Sequence, residues 1–386
     1  MHKQFYGYHK IDNQDFKEVK RALNGKFITN GNYVKKFEKA LSLKLNVKFS
    51  VTCNNGTSAL YLAIKSLNLK KNSYVLIPSI NFLSSSNIVK QMGYKIIFVD
   101  VDHENGLVTP EILSKVLTNC KRKKIKPKLF IPQFHAGQTH NCKKIFEIAK
   151  KEKFFLIEDA CHAFGGSHKD LSPIGSCKFA DLSTFSFHPV KNITTGEGGL
   201  ITTKSKKFFE YIKKIRNHGI EGTKVKSFPY KVKNYGFNFR LSDINCALGL
   251  SQLTRMNSFI VYRKKVFNYY QKSLAPYNKI IDVFSYDKKN KSSYHLFIIS
   301  INFKKIKSSK DKFITYLRKH GFLTQYHYIP IYKFNFFKKK TYLKNSEYYY
   351  KNTVSLPIYY NFKFKEQKKF INLIKIFLHN QIKSHN

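Results

Sequence analysis

Lys191 stands in the stretch Phe185-Ser186-Phe187-His188-Pro189-Val190-Lys191-Asn192-Ile193-Thr194-Thr195-Gly196-Glu197-Gly198-Gly199, where a short aromatic and polar run passes a proline and enters threonines and a glycine cluster. A lysine amine that has lost its proton attacks carbonyl carbon, forming an imine with an aldehyde cofactor or a ketone substrate. Partial burial near other positive groups lowers its pKa toward that role. Ser183, Phe185 and Phe187 alternate with Thr184, Ser186 and His188, which predicts a half-buried strand that stops at Pro189 and leaves Lys191 on a loop. The glycines after it let the backbone turn and approach a ligand closely. A surface lysine beside an ordinary Gly-rich turn has the same local sequence.

Two further places carry chemistry. Phe154 to Ile157 reads as a strand, and Glu158-Asp159-Ala160-Cys161-His162 follows it. Ligands of open α/β sheets gather at the carboxyl ends of strands, so an acid there is well placed. Phe49 to Cys53 reads as another strand, Asn54 to Ser58 as a turn, and Ala59 to Leu67 as a helix. Free N–H groups and hydroxyls at a helix start bind anions, and the same residues also serve plain N-capping. A metal held by His162 with Cys161 or Cys177 is disfavoured by the spacing.

The Phe185 to Gly199 string resembles the cofactor-lysine signature of the sugar aminotransferases of the DegT/DnrJ/EryC1/StrS family, and the resemblance runs from Tyr6 to the last helix. It implies an α/β chain of the PLP-dependent transferase fold type I, aspartate aminotransferase-like, with a large mixed-sheet domain and a smaller α+β C-terminal domain. The implied cofactor is pyridoxal 5'-phosphate, held by Lys191 as nucleophile and general acid/base. Asp159 matches the aspartate that keeps the cofactor ring nitrogen protonated, and His162 the Gln/His near the ring hydroxyl. Phe82 matches an aromatic that stacks on the ring, although a core phenylalanine fits that position too. Gly56 and Thr57, with Ser58 alongside, take the cofactor phosphate together with Ser186 and Asn238; Asn54-Asn55 stands where the family has a serine pair.

The substrate residues implied are Tyr6, Lys26, Phe27, Ile28, Thr29, Ser186, Asn238, and the His327-Tyr328-Ile329-Pro330 segment. Asn238 matches an asparagine that reaches the neighbouring subunit's site, so a homodimer with shared sites is expected. A dehydratase branch of the family replaces the lysine with histidine; the retained Lys191 favours transamination. The nearest branch aminates a UDP-linked 4-keto-6-deoxy-N-acetyl sugar, with glutamate as donor, on the way to pseudaminic acid and surface glycan. Another nucleotide keto-sugar, of perosamine or bacillosamine type, is the alternative, and a basic non-enzymatic binding protein stands behind both.

The elements that must position these residues follow in order. Phe16, Val19 and Leu23 predict a first helix and Phe37 and Leu41 a second, with the Lys26 to Gly31 loop between them. Alternating strands and helices then run from Phe49 to about Thr203, and a long helix opens at Ser242 toward Leu253. Beyond Ile260 come a strand at Tyr294 to Asn302, a helix at Lys310 to His320, a strand at Leu323 to Tyr328 and a terminal helix near Glu366 to Leu378. The division expected is residues 1–255 for the N-terminal segment and large domain, and 256–386 for the small one.

With 386 residues, 42% hydrophobic and 16% aromatic, the chain has the material for a sizeable core. A formal charge of +47 invites a nucleic-acid or membrane reading. Against it, the lysines are spread along the chain, and Arg21, Arg122, Arg216, Arg240, Arg255, Arg263 and Arg318 are the only arginines, so bidentate phosphate forks are scarce. Abundant Lys, Ile, Asn, Phe and Tyr without tryptophan is what an A/T-rich coding bias produces, and no nucleic-acid partner is expected. Cys53, Cys120, Cys142, Cys161, Cys177 and Cys246 show no CxxC pair, which predicts free thiols in a reducing compartment. No signal-like start and no apolar run of about 20 residues is present, so the expectation is a cytoplasmic protein without membrane spans.

Overall fold

The structure, a computed structural model, describes residues 3–138, 141–221, 231–284, 291–337 and 341–383. Its centre is a seven-stranded sheet built from β1 (Phe49–Cys53), β2 (Tyr74–Pro78), β3 (Lys95–Val99), β4 (Pro127–Phe130), β5 (Phe155–Asp159), β6 (Leu182–Ser186) and β7 (Gly199–Thr203), in the order β1-β7-β6-β5-β4-β2-β3. Strands β3, β2, β4, β5 and β6 run parallel, whereas β7 is antiparallel to β6 and to β1. The sheet is therefore mixed. Helices α3 (Gly56–Ser66), α4 (Leu83–Gln91), α5 (Pro110–Arg122), α6 (Cys142–Glu152) and α7 (Lys206–Arg216) form the connections between its strands and after β7.

Strand β6 is buried along Leu182 to Phe185, not half-buried as the alternation predicts. Its polar face is inside because its hydroxyls have partners. Ser183 Oγ donates to Glu158 Oε2 at 2.5 Å, and Thr184 Oγ1 donates to the Glu158 carbonyl at 3.2 Å. Paired hydroxyls of that kind remove most of the cost of burial.

The N-terminal helices α1 (Asn13–Leu23) and α2 (Asn32–Leu45) lie against the long helix α8 (Asp243–Leu274), which follows two-residue strands β8 (Ile220–Glu221) and β9 (Lys231–Val232). The face of α1 that meets α8 is polar. Asp15 accepts from Gln252 Nε2 at 2.8 Å and from Arg255 Nη2 at 2.5 Å, while Phe16 and Leu23 of the expected apolar stripe remain 65% and 53% exposed. Helix α8 has 32 residues and runs through Arg255 and Met256, so the expected boundary falls inside a continuous helix.

Beyond α8, a three-stranded antiparallel sheet of β10 (Ile281–Val283), β11 (Phe297–Ile301) and β12 (Thr353–Leu356) packs with α9 (Lys310–Lys319) and α11 (Phe364–Lys383), and α10 (Lys344–Asn352) leads into β12. The expected strand at Leu323 to Tyr328 does not join this sheet. Only Gln325 pairs, exchanging two backbone hydrogen bonds with Ser355, and the following residues leave for the cleft. That departure is what brings the second half of the chain to the first.

Candidate active site

A cleft of about 650 Å³ opens beside the ends of β5 and β6, and its wall includes Lys191, Asp159, His162, Gly56, Thr57, Ser186, Phe82, Tyr6, His327, Tyr328 and Ile329. Residues far apart in sequence thus converge as the resemblance implies.

Gly56, Thr57 and Ser58 form the first turn of α3 and not a preceding turn. Asn55 is the cap, its Oδ1 accepting from Ser58 N at 2.8 Å, so the departure from a serine pair keeps a capping side chain. First-turn amides have no acceptor within the helix. The hydroxyl residues Thr57 and Ser186 flank them in the cleft wall. A Cβ on Gly56 would lie 2.9 Å from Ser186 Cβ, so a larger residue would close this cradle. The arrangement fits an anionic group of phosphate size. The glycine cluster after Lys191 serves the protein itself: a Cβ on Gly199 would sit 2.2 Å from the Asn55 carbonyl oxygen, so what approaches closely there is the turn before α3.

Lys191 lies on a loop, as expected, with its N–H donating to the His188 carbonyl at 2.9 Å. Asn192 fastens that loop by donating to the carbonyls of Phe164 and Ser293 at 3.1 and 2.8 Å. Burial pushes the Lys191 amine below its ordinary range; Cys161 and Asp159 oppose that, and Arg263 adds to it. Asp159 ends β5 with 4% of its surface exposed. Burial pushes its carboxyl up, and the contacts with Cys161 and the charge of Lys191 pull it back. The Cys161 amide donates to Asp159 Oδ1 at 3.4 Å, and the side chains of Cys161 and Asn81 also meet the carboxylate, which faces the cleft where a cationic ring N–H could reach it.

His162 is 5% exposed and held neutral, first by burial and then by the positive Lys191. Its Nε2 pairs with the Tyr328 hydroxyl at 3.0 Å. Two histidines that sequence reading missed surround it, His135 with ring centroids 5.9 Å apart and His295 at 4.4 Å. His135 pairs with the Tyr349 hydroxyl at 2.7 Å, and burial pushes it down to about 3. The signal for His135 was its place after the strand ending in Phe134; nothing local marked His295. Phe82 is 57% exposed in the cleft wall and so is no core residue; its ring is 6.1 Å from that of Tyr328. Tyr6 meets His327 edge-on at 5.2 Å, and His327 Nδ1 pairs with Ser355 Oγ at 2.8 Å.

Lys26, Phe27, Ile28, Thr29 and Asn238 are exposed and lie outside this cleft wall, and Pro330 is buried just beyond Ile329. The Lys26 to Thr29 loop is fastened at the start of α8, whereas Asn238 bridges Asn217. The Asp243 amide donates to the Ile28 carbonyl at 3.0 Å, and the Asp243 carboxylate accepts from Gly31 N at 2.7 Å and Tyr33 N at 2.8 Å. Among the described residues no group of three or more His, Cys, Asp or Glu side chains is arranged to hold a metal, all six cysteines are free, and no helix is long and apolar enough to cross a membrane.

The profile of the DegT/DnrJ/EryC1/StrS aminotransferase family matches residues 9–375. A UDP-4-amino-4,6-dideoxy-N-acetyl-beta-L-altrosamine transaminase from Campylobacter jejuni subsp. jejuni serotype O:2 is 33% identical over 368 residues, 94% of either chain. A GDP-perosamine synthase from Escherichia coli O157:H7 is 31% identical over 280 residues, 72% of either chain. The solved structure of Helicobacter pylori PseC, an aminotransferase involved in the biosynthesis of pseudoaminic acid, superposes with a TM-score of 0.90 at 28% identity, covering 99% of this chain and all of that one.

Proposed function

The chain belongs to the DegT/DnrJ/EryC1/StrS aminotransferase family, and on that premise we propose that it is a PLP-dependent transaminase that converts a UDP-linked 4-keto-6-deoxy-N-acetyl sugar to its 4-amino sugar with glutamate as donor. The observation that carries this reading is a half-buried lysine and a buried carboxylate, Lys191 and Asp159, lining one cleft with the anion cradle of Gly56, Thr57 and Ser186. Similarity over 94% of the chain to an altrosamine transaminase supports the choice of sugar.

Aminotransferases of this family use pyridoxal phosphate. When bound, the cofactor supplies an aldehyde carbon for amines and an electron sink for a carbanion next to nitrogen. Here Lys191 would hold the aldehyde carbon, Asp159 the ring nitrogen's proton, and Gly56, Thr57 and Ser186 the phosphate. The half-exposed ring of Phe82 offers a flat face, and neutral His162 a ring nitrogen near the hydroxyl. Freed by the incoming donor, the Lys191 amine would take the proton from the donor's α-carbon and pass it to the former aldehyde carbon. It repeats the work in reverse at C4 of the sugar. Burial lowers the basicity of this amine, which eases release of the proton it has accepted.

Asn238 and Lys26 to Thr29 serve, in this reading, the cleft of a second copy in a homodimer. Their exposure and the exposed apolar side chains Phe27, Ile28 and Phe237 among and beside them support it. The pseudaminic acid assignment is tested by offering the enzyme glutamate with UDP-linked and GDP-linked 4-keto-6-deoxy sugars. Amination of the UDP-linked N-acetyl sugar alone is expected; preference for the GDP-linked sugar would move the protein to the perosamine type.

A further inference from the structure

Tyr326 lines the mouth of the cleft, and nothing above gives it a task. Its segment is pinned from the inside by Ser355, which pairs with Gln325 through the backbone and with His327 through its hydroxyl. The outer pin is Lys310, the first residue of α9. Its ammonium lies over both rings, 4.5 Å from the Tyr326 centroid and 4.1 Å from that of Tyr350, the two planes being tilted by 42°, and donates to the Tyr350 carbonyl. The neighbouring Asp311 Oδ1 accepts from the Tyr326 hydroxyl at 2.9 Å, so α9 holds this ring by its face and by its edge. Lys310 is half-buried and distinct from the many exposed lysines of the surface.

We propose that Lys310, through the Lys310–Tyr326–Tyr350 sandwich, is a positioning residue that sets how tightly the cleft mouth receives the sugar nucleotide, while leaving the chemistry at Lys191 untouched. The proposal rests on the aminotransferase reading. A cation over two aromatic faces holds both rings, and the attraction grows as water is excluded, although the same burial pushes the Lys310 amine down to about 8 against the pull of Asp311. Tyr326 is one residue from His327, so a loosened ring at this point frees the segment that forms the cleft's lip. The chemistry lies deeper, against Asp159 and Lys191, and is reached by the small amino donor without engaging the lip.

The test uses the full-length, cofactor-loaded enzyme with Lys310→Met, Lys310→Arg and Tyr326→Leu, and reads two half-reactions separately. Bleaching of the cofactor absorbance by glutamate should proceed in all three at the wild-type rate within about twofold. KM for the keto-sugar nucleotide should rise about fivefold in Lys310→Met at nearly unchanged kcat, which is the scale of one partly buried cation–π contact. Lys310→Arg should restore most of the loss, since guanidinium also stacks on aromatic faces. The Lys310→Met/Tyr326→Leu double variant should lose no more than the worse single one, as residues acting through one contact do. An unchanged KM in Lys310→Met, equal losses in both half-reactions, or additive losses in the double variant would overturn the proposal. Failure of glutamate to bleach the wild-type enzyme would instead overturn the transaminase reading beneath it.

Discussion

The buried guanidinium of Arg263 donates to the carbonyl oxygen of Val190 at 3.5 Å, one residue before Lys191, and its other contacts tie that loop to the carbonyls of His295 and Ile358 at 3.1 and 2.9 Å. A fixed cation is thus held beside the Lys191 loop by the long helix α8. Its charge lowers the affinity of Lys191 for a proton, after burial and against the pull of Cys161 and Asp159.

Removing that cation should therefore raise the pKa of Lys191. In Arg263→Met the rate at which cofactor-free protein captures pyridoxal phosphate should need a higher pH to reach its plateau, because only the unprotonated amine reacts. Arg263→Lys, which keeps the charge, should move the profile less. Equal profiles for all three proteins would show that burial alone tunes the lysine.

Asp159→Asn should retain the cofactor while losing transamination by about a hundredfold or more, the scale of removing one preorganised charge partner from a site that excludes water. Cofactor content by absorbance and turnover with glutamate measure the two effects separately.

Gly199→Ala should act at a distance from any ligand. Its Cβ would lie 2.2 Å from the Asn55 carbonyl oxygen, so β7 or the cap of α3 must shift. Overpacking of this kind costs roughly 1–3 kcal/mol, and displacement of the cap also disturbs the phosphate cradle. A lower Tm together with weaker cofactor binding is expected.

Glu158, behind Asp159 in β5, gives a pH test of stability. Its carboxyl is 2% exposed and burial pushes it up to about 7, while His168, 3.8 Å from it, is pushed down to about 4. Between about pH 4 and about pH 7 the pair is accordingly a protonated acid beside a neutral ring, and not an ion pair. A carboxyl that holds its proton more tightly when folded stabilises the fold at low pH and loses that contribution as pH rises from the ordinary carboxyl range to about 7. Glu158→Gln should remove this slope, worth roughly 3 kcal/mol at most. Its Tm relative to the wild type should rise between pH 5 and pH 8.

Shared sites predict complementation. Lys191→Ala and Asn238→Ala should each be inactive or strongly impaired alone, and mixtures refolded or co-expressed together should regain activity through hybrid dimers with one intact site. Mixtures no better than the sum of their parts would argue against a donated Asn238.

The strands around the site were legible because buried strands are short runs ending at chemistry-bearing residues: Phe49 to Cys53 has the expected bounds, and the run expected at Phe154 to Ile157 is β5, extended to Asp159. Lys191, Asp159 and Gly56 stood out because each follows such a run. Less legible was whatever depends on pairing across the chain. The apolar stripe of α1 faces outward because Asp15 meets Gln252 and Arg255 of α8. The Leu323 to Tyr328 segment has strand composition, yet it makes one bridge and then lines the cleft. His295 and Tyr326 carry no local signal, since their neighbours in space lie far away in sequence.

The central claim is tested most directly by the absorbance spectrum of purified protein given pyridoxal phosphate, before and after glutamate, with Lys191→Ala beside the wild type. The account predicts a long-wavelength band in the wild type that glutamate bleaches and that Lys191→Ala does not form. The absence of any such band in the wild type, or an equal band in Lys191→Ala, would contradict it.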